Sequence, residues 1–326
     1  MTLRFDMRSP RTGAPTPDLY GAALDMCAWA ETRGAVAVIL SEHHATEDGH
    51  LPSPMMLAAA IAARTERIAI MIAALVLPLY DPVRLAEDIS VLDNLSHGRA
   101  AYVLGIGHRD AEYQHIGVDP RRRGRIADEN LDLLLKLLDG MPTVHDGRRI
   151  HVTPSVISPG GPALMIAGGS AAAVKRAARH GLGFVAQTND TELAELFDSE
   201  SRAHGHEPGF MQFPDGTGPT TAFVADDADE AWDDIGSYLL HDAVMAASYR
   251  HGDDTVASIT RAKTVQELRD SPAAYAVFTI EEAVDHIRGG RMLPLHPLCG
   301  GLPPDLAWPY LERAARAEAL AATTAR

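Results

Sequence analysis

Four consecutive residues, Ser41-Glu42-His43-His44, hold the side chains of this sequence best suited to chemistry. They end an apolar run, Ala35 to Leu40, that reads as a buried strand. An imidazole has an unperturbed pKa of ~6.5 and exchanges a proton near neutral pH, and a neighbouring carboxylate can orient it. Parallel α/β folds build their active sites at the carboxyl ends of their strands. The same residues also suit a pair of surface or metal-binding histidines. No further ligands with a convincing pattern support a metal centre.

A second candidate is Gly168-Gly169-Ser170, between a predicted strand and a predicted helix. Glycines there let backbone approach a ligand closely, and free amides at a helix N-terminus attract an anion. A plain turn capped by Ser170 explains the triplet as well. Gly105-Ile106-Gly107 lacks the third glycine of the dinucleotide fingerprint. His296 follows the last predicted strand, where it either faces a ligand or closes off the core. Cys299 reads as a small buried apolar residue, having no basic neighbour in sequence. His108-Arg109 and the cluster Arg121-Arg122-Arg123 with Arg125 read as solvated groups, the cluster pairing with acids such as Asp119 and Asp128.

The elements that must position these residues alternate. Strands are predicted at Leu3–Met7, up to Ser41, Ile68–Val76, Ala100–Ile106, Leu164–Ala167, Phe184–Ala186, Thr220–Val224 and Met292–Leu295. Amphipathic helices separate them: Asp18–Arg33 stopped by Gly34, one opened by Ser53-Pro54, and one opened by Asp81-Pro82 and ending near His97-Gly98. Thr143 to Gly161, with Asp146-Gly147 at its centre, reads as a hairpin-like excursion. Residues 250–279 read as polar and irregular. This β-α-β-α rhythm predicts a parallel sheet, and eight strands favour a closed (β/α)8 TIM barrel with insertions, one domain over residues 1–326.

Composition narrows the function. A formal net charge of -15 argues against binding nucleic acid or anionic membranes, which need basic surfaces. Cys27 and Cys299 lie far apart, so a reducing compartment fits, and no secretion signal or membrane-spanning run is evident. The expectation is a cytoplasmic enzyme acting on a small molecule.

Taken in order, several motifs resemble the bacterial luciferase-like family of flavin-dependent oxidoreductases. They are Ser41-Glu42-His43-His44, Asp48 to Pro54, Leu77 to Asp88, Leu92 to Arg99, Gly168-Gly169-Ser170 and His296 to Gly301. The resemblance implies a (β/α)8 barrel, usually dimeric, with reduced FMN or the deazaflavin F420 at the strands' carboxyl ends. It implies that His43 is catalytic, with Glu42 and His44 orienting it. It implies a non-proline cis peptide at Ala73-Ala74 beneath the flavin ring and a phosphate site at Gly168, Gly169 and Ser170, with His296 also near the cofactor. A reduced flavin supplied by a separate reductase would react with oxygen and oxygenate a small organic substrate. An F420-dependent hydride-transfer enzyme and a non-catalytic flavin-binding subunit are the alternatives. The sequence departs from luciferases at Ile106, where they carry a phosphate-binding arginine, and at Leu182, where relatives often have aspartate. A homodimer through the helices at Pro54–Arg64 and Pro82–Leu95 is expected from the apolar run Met55 to Ala63.

Overall fold

The computed structural model describes residues 1–214, 218–249, 259–271 and 274–323. Among the described residues, twelve strands run in chain order: β1 Thr2–Phe5, β2 Ala37–Leu40, β3 Ala69–Val76, β4 Ala100–Gly105, β5 Thr143–His145, β6 Arg148–Ile150, β7 Ala163–Gly168, β8 Gly183–Ala186, β9 Met211–Gln212, β10 Thr221–Ala225, β11 Tyr275–Thr279 and β12 Pro294–Leu295. The α-helices of the described residues are α1 Thr16–Glu31, α2 Pro54–Arg64, α3 Pro82–Ser96, α4 Asp110–Ile116, α5 Arg123–Leu138, α6 Ala171–Arg179, α7 Glu192–Ala203, α8 Ala228–Ser248, α9 Val265–Arg269, α10 Ile280–Arg288 and α11 Pro304–Thr323. The chain divides into two compact units, Met1–Pro52 with Arg67–Ala69 and Asp215–Arg326, and Ser53–Glu66 with Ile70–Pro214.

The first unit aligns its strands in the order β11-β10-β12-β1-β2, all parallel. Buried Leu3, Phe5, Val38, Leu40, Phe223 and Leu295 fill its core. Helix α1 begins with Pro17 in its first turn and is followed by Gly34 at φ +93°, a left-handed position that suits glycine. The second unit runs β3-β4-β7-β8-β9, again parallel. Helix α3 starts at Asp81, whose carboxylate accepts the amides of Val83 and Arg84, and it ends on left-handed His97. The β5–β6 hairpin turns through Asp146 and Gly147, both at positive φ.

Every expected strand is present, and three expectations change. Tyr275–Thr279 forms strand β11 and Val265–Arg269 forms α9, inside the stretch expected to be irregular; residues 250–258 and 272–273 of that stretch lie outside the described set. Met211–Gln212 adds β9, paired to β8. Ser53 precedes α2 without a side-chain cap bond, so Pro54 at the first helical position marks that start. Among the described residues no helix is long and apolar enough to cross a membrane.

Candidate active site

The first unit gathers its polar side chains at the carboxyl ends of β1 and β2. After β1 the chain kinks at Met7, buried with φ +61°, and the Arg8 amide donates to Asp6 Oδ1 at 3.1 Å. The loop after β2 returns alongside: Leu51 N donates to Asp6 O (2.7 Å), His43 N to Leu51 O (3.1 Å) and Ser9 N to Asp48 O (2.6 Å). These bonds fix residues 43–51 against 6–9.

Arg8 is the centre of this arrangement and is 2% exposed. Its Nε donates to Asp6 Oδ2 and Asp242 Oδ1, both at 3.1 Å. Its Nη1 donates to Asp48 Oδ2 (2.6 Å) and to the Tyr249 hydroxyl oxygen (3.0 Å). A guanidinium offers five donors in a rigid fork, which lets one side chain serve three buried carboxylates. Burial alone would lower the Arg8 pKa, but Asp6 and Asp242 outweigh it and hold the group charged. Burial likewise works to raise the Asp6 carboxyl, and His296 and Arg8 beside it hold it well below the usual carboxylate range. Asp48 resists burial in the same way: hydrogen bonds from His241 (3.1 Å) and Arg8 bring it down to about 2.

His43 sits within this frame. Its ring lies edge-on to His50 at 4.7 Å and tilted against Tyr249 at 5.0 Å between centroids. His50 is buried; desolvation pushes its pKa well down, so it is neutral, and its Nδ1 has no hydrogen-bond partner. Glu42 Oε1 accepts from His44 Nε2 at 2.7 Å, and Glu42 is buried at 2% exposure. His296 is also buried. Its Nδ1 meets Arg4 Nη2 at 3.0 Å; a guanidinium only donates, so Nδ1 accepts and the ring proton belongs on Nε2, 3.4 Å from Asp6 Oδ1.

Asp242, His296 and Cys299 each place one ligand atom within 4.8 Å of the others. Arg4 and Arg8 both donate to Asp242, as does the Tyr275 hydroxyl at 2.8 Å. A metal ion there would face two guanidiniums, so the trio works as a hydrogen-bonded core. Burial, then Asp242, pushes the Cys299 thiol well up, which removes it as a nucleophile.

The second unit carries the other expected residues. The Ala73-Ala74 peptide is cis, as the resemblance implied, and β3 shifts register against β4 there. Gly105 lies beneath it: a Cβ on Gly105 would come within 3.2 Å of Ala74 Cβ. Gly168 ends β7, where any Cβ would lie 2.4 Å from Ala173 Cβ, so glycine is required by the packing of α6. A Cβ on Gly169 would meet Thr188 Cγ2 at 3.0 Å. Ser170 caps α6 through Ala173 N at 3.4 Å. The first-turn amides of Ala171 and Ala172 have no intrahelical acceptor, and Thr188 Oγ1 is buried without a partner. Unused donors beside a side-chain-free backbone fit a phosphate group. Thr188 was not singled out from sequence, although it is the second residue after strand β8.

His108 and Arg109 follow β4, and Arg109 pairs with buried Glu112 at 3.0 Å, so the expected solvated loop pair is partly internal. The arginine cluster pairs with acids as expected, Arg121 with Asp119 and Arg125 with Glu129, but Arg123 pairs with Asp110 and Asp128 binds Arg176.

A family model described as "Luciferase-like monooxygenase" matches residues 4–287. The chain belongs to the luciferase-like monooxygenase family. Among curated relatives, an alkanal monooxygenase alpha chain from Photorhabdus luminescens is 29% identical over 188 residues, covering 55% of this chain and 52% of that protein. A 4-hydroxyprotoasukamycin monooxygenase from Streptomyces nodosus subsp. asukaensis is 31% identical over 117 residues, covering 36% and 32%. The chain spans about half the length, or less, of the curated relatives it matches. Two solved structures are similar over the whole chain. A monooxygenase from Streptomyces bottropensis gives a TM-score of 0.73 at 22% identity, covering 97% of this chain and 98% of that one. The oxygenating constituent of 3,6-diketocamphane monooxygenase from Pseudomonas putida, solved with FMN, gives 0.73 at 18% identity, covering 98% of each. The fold is thus the TIM-barrel-type α/β fold of the family, as expected from the sequence.

Proposed function

We propose that this protein is a flavin-dependent monooxygenase that uses reduced FMN and O2 to oxygenate a small organic substrate. One observation carries the reading: in a chain that matches the family over residues 4–287, His43 stands at the carboxyl end of β2, its ring edge-on to His50 and tilted against Tyr249. Two similarities support the cofactor, the alkanal monooxygenase relative and the FMN-bound structural neighbour.

Reduced FMN, when bound, supplies the two electrons that activate oxygen. Gly168, Gly169 and Ser170, with the amides of Ala171 and Ala172 and the Thr188 hydroxyl, would hold its phosphate. Ala73 and Ala74 would lie against its ring. His43 would give or take the proton of the reaction, with His50 and Tyr249 fixing its ring and the Glu42–His44 pair supporting the same strand end. His296, bonded to Arg4 beside Asp6, would act on the cofactor through that buried network.

The single-domain organisation over 1–326 rests on the family match, which runs through both units. A homodimer through α2 and α3 is supported by Met56, Val91 and Leu95, exposed on those helices at 73%, 52% and 41%. A separate flavin reductase would supply the reduced cofactor. A cytoplasmic setting is supported by two free, buried cysteines.

The test pairs the protein with a flavin reductase and FMN under 18O2, against a panel of alkanals and small ketones. A product carrying one 18O atom is expected. Oxygen-independent turnover with F420 and no 18O incorporation across the panel would overturn the reading.

A further inference from the structure

One element of the second unit is exposed on both faces. The β5–β6 hairpin, Thr143–His145 and Arg148–Ile150, pairs only with itself among the described residues. No residue from Met141 to His151 is buried, and Val144 is 73% exposed. A lone two-stranded hairpin is marginally stable in water, and it gains stability once something packs on it. Its charge also runs against that of the chain, which carries a net -15. Arg148 and Arg149 are exposed, and neither takes part in an ion pair among the described residues. The one acid of the hairpin, Asp146, faces His145 at 3.5 Å.

The base of the hairpin is fastened to the C-terminal end of α3, within the same unit. Buried Asp93 accepts the amides of Ile157 and Ser158 at 2.6 and 3.0 Å, and Asn94 Nδ2 donates to Ser155 O at 2.8 Å. Gly140, just before β5, lies against the same loop: a Cβ there would stand 3.6 Å from Ser155 Oγ. The outward stripe of α3 changes character along its length. Arg84 and Asp88, with Glu87 beside them, hold its N-terminal half, and exposed Val91 and Leu95 hold its C-terminal half. Glu87 and Asp88 share the single Arg84, at 2.6 and 3.6 Å, so this end has two acids for one base.

We propose that the β5–β6 hairpin is an arm that clasps a second copy of this chain, with Arg148 and Arg149 set against Glu87 and Asp88 of that copy's α3. The arm rests on the homodimer through α2 and α3 proposed above. A two-fold dimer is self-complementary and sets α3 against its own copy. Packed in parallel, the acidic ends would meet. Packed antiparallel, Val91 and Leu95 cover their counterparts and the acidic ends part. At ~1.5 Å per residue, Glu87 and Asp88 of the second copy then fall a few ångströms beyond Ser96, at the end of α3 to which the hairpin is fastened. The bare arginines of each copy meet the excess acids of the other there, twice in the dimer. Two chains of net -15 repel on approach, and a cationic arm on each offsets that repulsion.

Sedimentation equilibrium of the full chain measures the dimer dissociation constant, and far-ultraviolet circular dichroism checks folding. Arg148→Glu with Arg149→Glu should weaken the dimer at least about tenfold at low salt and less at high salt. Arg148→Gln with Arg149→Gln, which removes charge without reversing it, should weaken it by a smaller factor. Glu87→Lys with Asp88→Lys should weaken it too, and combining these two with Arg148→Glu and Arg149→Glu should recover most of the loss. Leu95→Asp reads the α3 face by itself and should break the dimer. A wild-type dimer that the arginine variants leave unchanged, or weaken without recovery in the charge swap, overturns the arm and leaves the homodimer standing. A wild-type chain that stays monomeric, or a dimer that Leu95→Asp leaves intact, overturns the homodimer through α2 and α3 and the arm with it.

Discussion

The two units solve different problems with opposite materials. The strand ends of the first unit are crowded with charge: Asp6, Asp48 and Asp242 share Arg8, and Arg4 adds a second guanidinium. The second unit instead offers Ala73, Ala74, Gly105 and Gly168 on its strands and Gly169 just after β7, with a serine cap and one buried hydroxyl. Under the proposed function, side chains would do the work in the first, and backbone and missing side chains in the second. Proton chemistry needs titratable groups held in fixed protonation states. Holding a phosphate needs amides and room. The proposed division of labour would follow from those needs.

The sharpest way to break this comparison is His43→Ala. If the first unit supplies the chemistry, turnover should fall ~10²–10⁴-fold, while FMN binding and melting temperature stay close to wild type. Near-normal turnover with reduced stability would make His43 structural.

Arg8→Met tests the charged frame itself. Removing one member of a buried ionic network typically costs ~3–5 kcal/mol, because the remaining charges lose their partner. Urea melts should show a loss of this size, with Asp6, Asp48 and Asp242 left to take up protons. A loss below about 1 kcal/mol, the range of an exposed pair, would mean the network is not needed for folding.

Gly169→Val probes the other unit. It should weaken FMN binding about tenfold, in line with the ~1.5–3 kcal/mol of a hydrogen bond to a charged group. Riboflavin, which lacks the phosphate, should be affected less. Equal losses for both would show that this loop does not hold the phosphate.

The smallest effect expected is on acid stability. Asp48 titrates at about 2 in the folded chain against an ordinary 3.8, so the folded form binds fewer protons between those values. Its contribution is therefore complete above about pH 4 and is lost as pH falls toward 2. Asp6, also lowered, acts in the same direction. Asp48→Asn should flatten that part of the stability curve, and an unchanged curve would place the acid sensitivity elsewhere.

Much of the second unit's loop and half of the first unit's site could be read directly. Glu42-His43-His44 and Gly168-Gly169-Ser170 are contiguous and sit at strand ends that periodicity marks well. The frame around His43 is not contiguous. Arg8 meets Asp242, Tyr249 and Asp48 across 234, 241 and 40 positions, and no local pattern links them. His241 and Asp242 are neighbours on α8 with different fates, one partly exposed and one buried, and only tertiary contacts separate them. Strand β11 is a different case. Tyr275-Ala276-Val277-Phe278-Thr279 is rich in β-branched and aromatic residues, a strand signal hidden by its polar surroundings. The role of Gly168 shows the limit of motif reading: it must be glycine because Ala173 is close, whatever binds nearby.

Equilibrium titration of the purified chain with FMN, riboflavin and F420, followed by cofactor fluorescence, tests the central claim most directly. The account predicts saturable one-to-one binding of FMN, weaker binding of riboflavin and no competition by F420. Tight F420 binding with none for FMN, or equal affinity for FMN and riboflavin, would contradict it.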